Sequence, residues 1–256
     1  MIPTAFAAFL FALCDSPAGS RPQSAEGSFA LCDSRAGSRP QSAEGSFALC
    51  DSPEGSRAAG HGGVAAMDAK RELRARALQM RKAAFDLHGP EAGRKLAAHG
   101  LDFLNIKPGM SVSGFAAIRD EINPADLMLW LHAEGVRLAL PVMQGKGLPL
   151  LMRTWSPGDA MQAVEWGIAE PLDDKPAIIP DIVLVPLLAF DARGYRIGYG
   201  GGFYDRTLAK LRAKKPILAV GLAYDEQKVD AVPHDGYDQR VDWVLTPSGP
   251  IRCDMN

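Results

Sequence analysis

The hydrophobic pattern divides the chain in two. From Met67 onward, apolar residues recur at helical spacing or gather in short unbroken runs; before it, past the apolar segment Ala5 to Cys14, they do neither. KRELRARALQMRKAAF, from Lys70, puts Leu73, Ala77 and Met80 on one helical face, and Asp68 can cap its start. GPEAGRKLAAHGLDFL reads as a second helix with Pro90 near its beginning. MSVSGFAAI predicts a strand, and PADLMLWLHAE (Pro124 to Glu134) a helix stopped by Gly135. VRLALPVM and LPLLMRTW predict two strands separated by the turn QGKG. IVLVPLLAF (Ile182 to Phe190) is apolar throughout, as expected of a parallel strand buried on both faces. YDRTLAKLRAK predicts a helix with Leu208 and Leu211 inward, and ILAVGLAY and WVLT predict two closing strands. Strands alternating with helices predict an α/β fold in three layers, a parallel or mixed sheet with helices on both faces.

The first part of the chain is a different polymer. FALCDSPAGSRPQSAEGS begins at Phe11, and near-copies begin at Phe29 and Phe47. Each unit carries only Phe, Ala, Leu and Cys as apolar material before a Ser, Gly, Pro, Ala and Gln stretch. That cannot bury enough surface to offset chain entropy. Residues 1–66 are therefore expected to be a disordered extension, or to reflect a start placed upstream of the true one. Met67 is the alternative first residue, and 67–256 the folded domain. IPTAFAAFLFALC has an apolar core, but no basic residue precedes it and Leu13, not a small residue, precedes Cys14, so export is disfavoured.

The segment from Gly194 to Asp205, GYRIGYGGGFYD, is the most informative in the chain. It lies between a predicted strand and a predicted helix. Such a loop aims backbone N–H groups and a helix N-terminus at one spot, which suits an anion such as phosphate. Gly198, Gly200, Gly201 and Gly202 permit close backbone approach. Arg193 and Arg196 can pair with phosphate oxygens, and Asp205 offers a hard oxygen ligand for Mg²⁺. No Gly-Lys-Ser/Thr follows, so this is not a P-loop.

Other motifs fall in order around it: KRELR (Lys70 to Arg74), FAAIRDEIN (Phe115 to Asn123), EWGIAEP (Glu165 to Pro171) and DQRVDWVLT (Asp238 to Thr246). Together with AFDARGYRIGYGGGFYDRTL they resemble the signatures of the 5-formyltetrahydrofolate cyclo-ligase (5,10-methenyltetrahydrofolate synthetase) family, from about Met67 to the end. The resemblance implies a NagB/RpiA/CoA-transferase-like fold. It implies ATP- and Mg²⁺-dependent cyclisation of 5-formyltetrahydrofolate to 5,10-methenyltetrahydrofolate, with release of ADP and phosphate. By the same resemblance, ATP would be held by Lys70, Arg74, Arg196 and the loop Ile197, Gly198, Tyr199, Gly200, Gly201, Gly202, Phe203 and Tyr204. Arg196 and Asp205 would carry catalysis. Asp205 and Asp238 would bind the metal, with Asp235 a competitor for the second place. The folate would meet Ala116, Glu121, Trp166, Tyr199 and Phe203. The family often has a lysine within the loop; Gly201 stands there, and Arg193 is the candidate to compensate. Read without the resemblance, Arg71, Arg76, Arg81 and Lys82 form a solvated basic face that could include Lys70 and Arg74. The loop alone would also fit an ATP-dependent kinase or ligase with another acceptor, and the fold a non-catalytic folate-binding protein.

Composition narrows the partners. Net charge is −2 over 256 residues, which argues against a broad nucleic-acid footprint. No apolar run approaches the ~20 residues of a membrane span. Cys14, Cys32, Cys50 and Cys253 form no CxxC pair, and only Cys253 lies in the folded part. The expectation is a cytoplasmic monomer acting on small molecules.

Overall fold

The structure, a computed structural model, describes residues 61–164 and 168–254, with side chains from Met67 onward. The repeats lie outside the described residues. Helix α1 (His61–His99) starts before Met67, so its backbone takes in 61–66, which the sequence reading gave to the extension. The two helices expected here form one element broken at Gly89 (φ 50°, ψ −143°). Pro90 follows, and proline disfavours the helical conformation in the residue before it.

A seven-stranded sheet has the order β11-β10-β9-β6-β1-β2-β3. Its parallel centre is β1 (Ser111–Ser113), β2 (Arg137–Val142), β6 (Ile182–Pro186), β9 (Leu218–Leu222) and β10 (Trp243–Thr246). Antiparallel β3 (Leu151–Thr154) and β11 (Gly249–Arg252) form the edges. Two small hairpins stand apart, β4 (Met161–Ala163) with β5 (Ala169–Pro171), and β7 (Ala189–Phe190) with β8 (Arg196–Ile197).

Alternation along β6 sets up two cores. Ile182 and Leu184 face Ala84, Ala92 and Leu96 of α1 and Leu127 and Leu131 of α2 (Ala125–Ala133). Val183 and Val185 face Leu208 and Leu211 of α3 (Phe203–Arg212). Helices thus cover both faces, and the three-layer expectation holds. The single long strand expected over IVLVPLLAF does not form. Pro186 lacks the N–H needed to continue the ladder, and the run divides into β6 and β7. The strand expected over MSVSGFAAI ends at Ser113, because Phe115 and Ile122 turn down into the core and draw the chain off the sheet. The β4–β5 hairpin and the strand GPIR had no periodic signal.

The chain runs from β1 outward to β2, then returns to β6 on the other side of β1 and continues to β9 and β10. The order therefore reverses between β1 and β6, and the crevice outside their carboxyl ends is where ligands bind in such sheets. The segment after β1 leads to Glu121, and the segment after β6 leads to the glycine loop.

The opposite end is pinned by Asp181. Its carboxylate accepts the Ser111 N–H and hydroxyl, both at 2.7 Å, and the Lys215 ammonium at 2.7 Å. Its carbonyl accepts the Leu218 N–H. One residue thus joins the starts of β1, β6 and β9. Partial burial opposes its charge, but Lys215 and Ser111 outweigh this and hold the pKa at about 2. A lowered folded-state pKa stabilises above the unfolded value near 4 and is lost as pH falls through about 2. The side chain is a third exposed, so solvent screening leaves about 1 kcal/mol. Asp181→Asn should lower urea-unfolding stability at pH 7 by about that amount, and the gap from wild type should close between pH 4 and 2.

Candidate active site

Helix α1 lays a row of cations against the loop. Lys70 and Arg74 lie i, i+4 and so share a face. The Lys70 ammonium donates to Asp238 at 2.6 Å and Asp235 at 2.7 Å. Burial works against its charge, but both carboxylates favour it and the net effect raises its pKa. Arg74 Nε donates to the Gly198 carbonyl at 2.8 Å. These two are not part of a solvated face. Neither is Arg81, two turns further on, whose side chain is only 1% exposed.

The loop itself is shaped by backbone. Gly200 has φ +98°, and a β-carbon there would lie 3.3 Å from the Arg74 guanidinium. Gly202, at φ +64°, is the N-cap of α3. The first N–H groups of α3, from Phe203, Tyr204 and Asp205, have no intrahelical acceptor and face the loop. Gly198, Gly201 and Tyr199 complete it, and Tyr199 is 46% exposed. The Ile197 side chain packs in the core with Leu73 and Ala77 of α1, which leaves only its backbone to the loop. Phe203 packs on the second core beneath the Arg206 guanidinium. Tyr204 is half-buried, and burial raises its phenol well above the ordinary value.

Asp205 and Asp238 are presented by cations. Asp205 Oδ1 accepts Arg196 Nη2 at 2.9 Å and the Gln239 N–H at 3.0 Å. Arg196 also donates to the Gln239 carbonyl, and only 6% of its side chain is exposed. Burial lowers the Arg196 pKa, with Asp205 opposing that shift. Asp238 Oδ2 accepts Lys70 and the Asp235 N–H, the latter at 2.7 Å. Among the described residues the second oxygen of each acid carries no hydrogen bond. Asp235 is half exposed, and its pKa is lowered first by the bond from Lys70. Arg193, the expected substitute for a loop lysine, is tied to buried Asp191 at 2.7 Å and lies over Tyr195.

After β1, Ala116 is exposed and Glu121 is buried. Glu121 Oε2 accepts the Ile118 N–H at 2.9 Å, and Oε1 lies 3.5 Å from Arg81 Nη1. Burial raises the Glu121 pKa. Trp166 lies outside the described residues. The structure thus gathers Lys70, Arg74, Arg196, Asp205, Asp238 and the loop, with Glu121 behind Arg81. Arg81 and Gln239 were missed: an arginine beside Lys82 on a basic helix has no local mark of burial, and Gln239 acts through its backbone.

A model of the 5-formyltetrahydrofolate cyclo-ligase family matches residues 66–247. The chain belongs to that family. A 5-formyltetrahydrofolate cyclo-ligase of Mycolicibacterium smegmatis is 34% identical over 197 residues, covering 71% of this chain and 95% of the relative. That of Haemophilus influenzae is 30% identical over 175 residues, covering 66% and 92%. The structure of Aquifex aeolicus 5,10-methenyltetrahydrofolate synthetase superposes with a TM-score of 0.58 at 27% identity, over 72% of this chain and 92% of that one. The cyclo-ligase match spans all the site residues named above, from Lys70 to Gln239.

Removing one member of a buried ion pair strands the other. Arg196→Met should destabilise the protein by about 3 kcal/mol. Arg196→Met with Asp205→Asn should recover part of that loss in urea denaturation, since no bare charge is left.

Proposed function

We propose that this protein cyclises 5-formyltetrahydrofolate to 5,10-methenyltetrahydrofolate at the expense of ATP, using the glycine loop as the nucleotide site. The observation that carries this reading is the convergence of Lys70, Arg74 and the α3 N-terminus on Gly198 to Gly202 beside two carboxylates. Cations, free N–H groups and close-approach glycines together suit a polyphosphate. In the reaction the formyl oxygen attacks the γ-phosphorus and ADP leaves. N10 then attacks the activated carbon, loses its proton, and phosphate leaves as the ring closes. No protein nucleophile is needed. The work of the chain is charge neutralisation and alignment of two substrates.

Loop N–H groups and Lys70 would hold the phosphates, and Arg74 would keep the loop open by fixing the Gly198 carbonyl. Arg196 would orient Asp205 rather than meet phosphate. The donor set fits Mg²⁺. Asp205 and Asp238 each keep one free hard oxygen, and Mg²⁺ is ordinarily held by one or two carboxylates with substrate phosphates. Among the described residues no group of three or more His, Cys, Asp or Glu could hold a metal. When bound, Mg²⁺ would supply charge neutralisation on the phosphates. Glu121 would accept paired N–H bonds from the reduced pterin, beside Ala116 and Phe203, with Tyr199 where the nucleotide and the folate meet and Trp166 a candidate to stack on the pterin. Among the described residues no helix is long and apolar enough to cross a membrane. The cytoplasmic, monomeric setting and the disordered extension belong to this proposal.

The full chain with 5-formyltetrahydrofolate and MgATP should develop the methenyl absorbance, and loss of ATP without it would point to another acceptor. Asp205→Asn should lower turnover on the order of 10²-fold or more, and Asp238→Asn by a similar or smaller factor. Asp235→Asn should leave turnover nearly unchanged, because Asp238 retains Lys70.

Gly200→Ala adds about 1–2 kcal/mol of strain in the left-handed region and crowds Arg74. It should raise the ATP KM at least tenfold and weaken MgATP-induced thermal stabilisation. A lowered melting temperature with unchanged ATP kinetics would make the loop a mere turn.

A further inference from the structure

Arg81 is a cation buried between three segments of the chain. Its side chain is 1% exposed, and it spans two segments far apart in sequence. Nε and Nη2 form a two-pronged pair with Asp120, at 3.2 and 3.0 Å. Nη2 also donates to the Tyr199 hydroxyl, and the guanidinium lies 5.2 Å from the Tyr199 ring centroid. Nη1 is buried with no hydrogen-bond partner, and the group facing it is Glu121 Oε1 at 3.5 Å. A buried guanidinium N–H without an acceptor costs free energy that folding alone has no reason to retain.

We infer that Arg81 is a positioning residue that holds the Glu121 carboxylate towards the folate and Tyr199 over the nucleotide, setting both substrate elements from one side chain. The inference rests on the function proposed above. Arg81 does not itself reach substrate, because Nη1 is sealed from solvent. It acts through Glu121 on one side and Tyr199 on the other. The groups around Glu121 are Arg81 from α1, Asp120 on its own turn and Tyr204 from α3; Tyr224, after β9, faces Arg81 and Asp120. Of these only Arg81 is cationic and in reach of Glu121. Burial and Asp120 push the Glu121 carboxyl towards its neutral form, and Arg81 holds it back. A neutral Glu121 would lose the acceptor capacity that paired pterin N–H groups require.

The test uses the full chain with Arg81→Gln, Arg81→Lys, Tyr199→Phe and Glu121→Gln, each assayed for both substrates across pH. Arg81→Gln should raise the 5-formyltetrahydrofolate KM at least tenfold, with a smaller fall in kcat. The acid limb of kcat/KM for the folate should move up by about one pH unit or more, the effect of removing a cation beside a carboxylate. Arg81→Lys should restore much of the limb position but not the ATP KM, since an ammonium cannot match the Asp120 and Tyr199 forks together. Tyr199→Phe should raise the ATP KM and leave the acid limb in place. A lower melting temperature with an unmoved limb and unchanged KM values in Arg81→Gln would overturn the inference and make Arg81 structural. Should Arg81→Gln not fold, Glu121→Gln decides: the inference requires the acid limb to disappear, and its persistence rejects it. Failure of the wild type to consume 5-formyltetrahydrofolate would reject the function itself, separately from Arg81.

Discussion

The site depends on α1 gripping a loop that cannot hold its own shape. Four glycines between Gly198 and Gly202 make the segment permissive and entropically costly to order. Order comes from outside it. Arg74 fixes the Gly198 carbonyl, Arg81 fixes the Tyr199 hydroxyl, and Lys70 gathers the acids facing the loop. All three cations lie on one helix, so its placement against the sheet sets the loop's geometry. That placement is itself hydrophobic: Leu73 and Ala77 pack with Leu188, Ala189 and Ile197, residues on the path from β6 into the loop. The same few turns of helix bury one face and charge the adjacent one.

The sheet supplies the second constraint. Order reversal between β1 and β6 leaves a crevice at their carboxyl ends, and the Glu121 turn and the glycine loop emerge on either side of it. Asp181 ties the other ends of the same strands together with Ser111 and Lys215. The strand starts are thus tied together at the amino ends, and the proposed site lies at the carboxyl ends. Asp191 extends the arrangement: fully buried, it accepts N–H groups from Arg193, Tyr195 and Val232 and so fixes the hairpin that delivers Arg196.

Much of this was legible in the sequence where signals are local. Apolar runs marked β6 and β9, helical spacing marked α2 and α3, and the glycine, arginine and aspartate content marked the loop. Pro186 should have been read as the end of β6, since its chemistry is local too. Other features had no local sign. Arg81 and Arg71 sit on one helix in similar company, yet one is buried and the other exposed, because only Arg81 meets the Asp120 turn brought over by tertiary packing. Arg193 looked like a phosphate ligand by proximity, but buried Asp191, two residues earlier, claims it. Asp235 and Asp238 could not be separated by motif, and geometry shows why both were candidates: one ammonium holds them both.

On the proposed reading, that shared ammonium lets Lys70 serve as a phosphate ligand without leaving a buried charge unpaired before the nucleotide binds. Lys70 is only 15% exposed, and an unpaired charge there would be unfavourable. Two carboxylates compensate it, of which Asp235 is exposed enough to return to water easily while Asp238 is largely covered. On the proposed reading, Lys70 moves from carboxylate to phosphate, and each partner finds a replacement for what it gives up. Asp235 would regain solvent, and Asp238 would be one of the residues to hold Mg²⁺. The exchange leaves no buried charge bare at either end, so binding energy need not be spent on breaking the resting pair. Arg196 and Asp205 obey the opposite rule. Their pair is also tied to Gln239, and Arg196 is nearly sealed from solvent, so on the same reading it would stay closed while Lys70 traded partners. On that reading, one acid of the site would have a fixed partner and the other an exchangeable one.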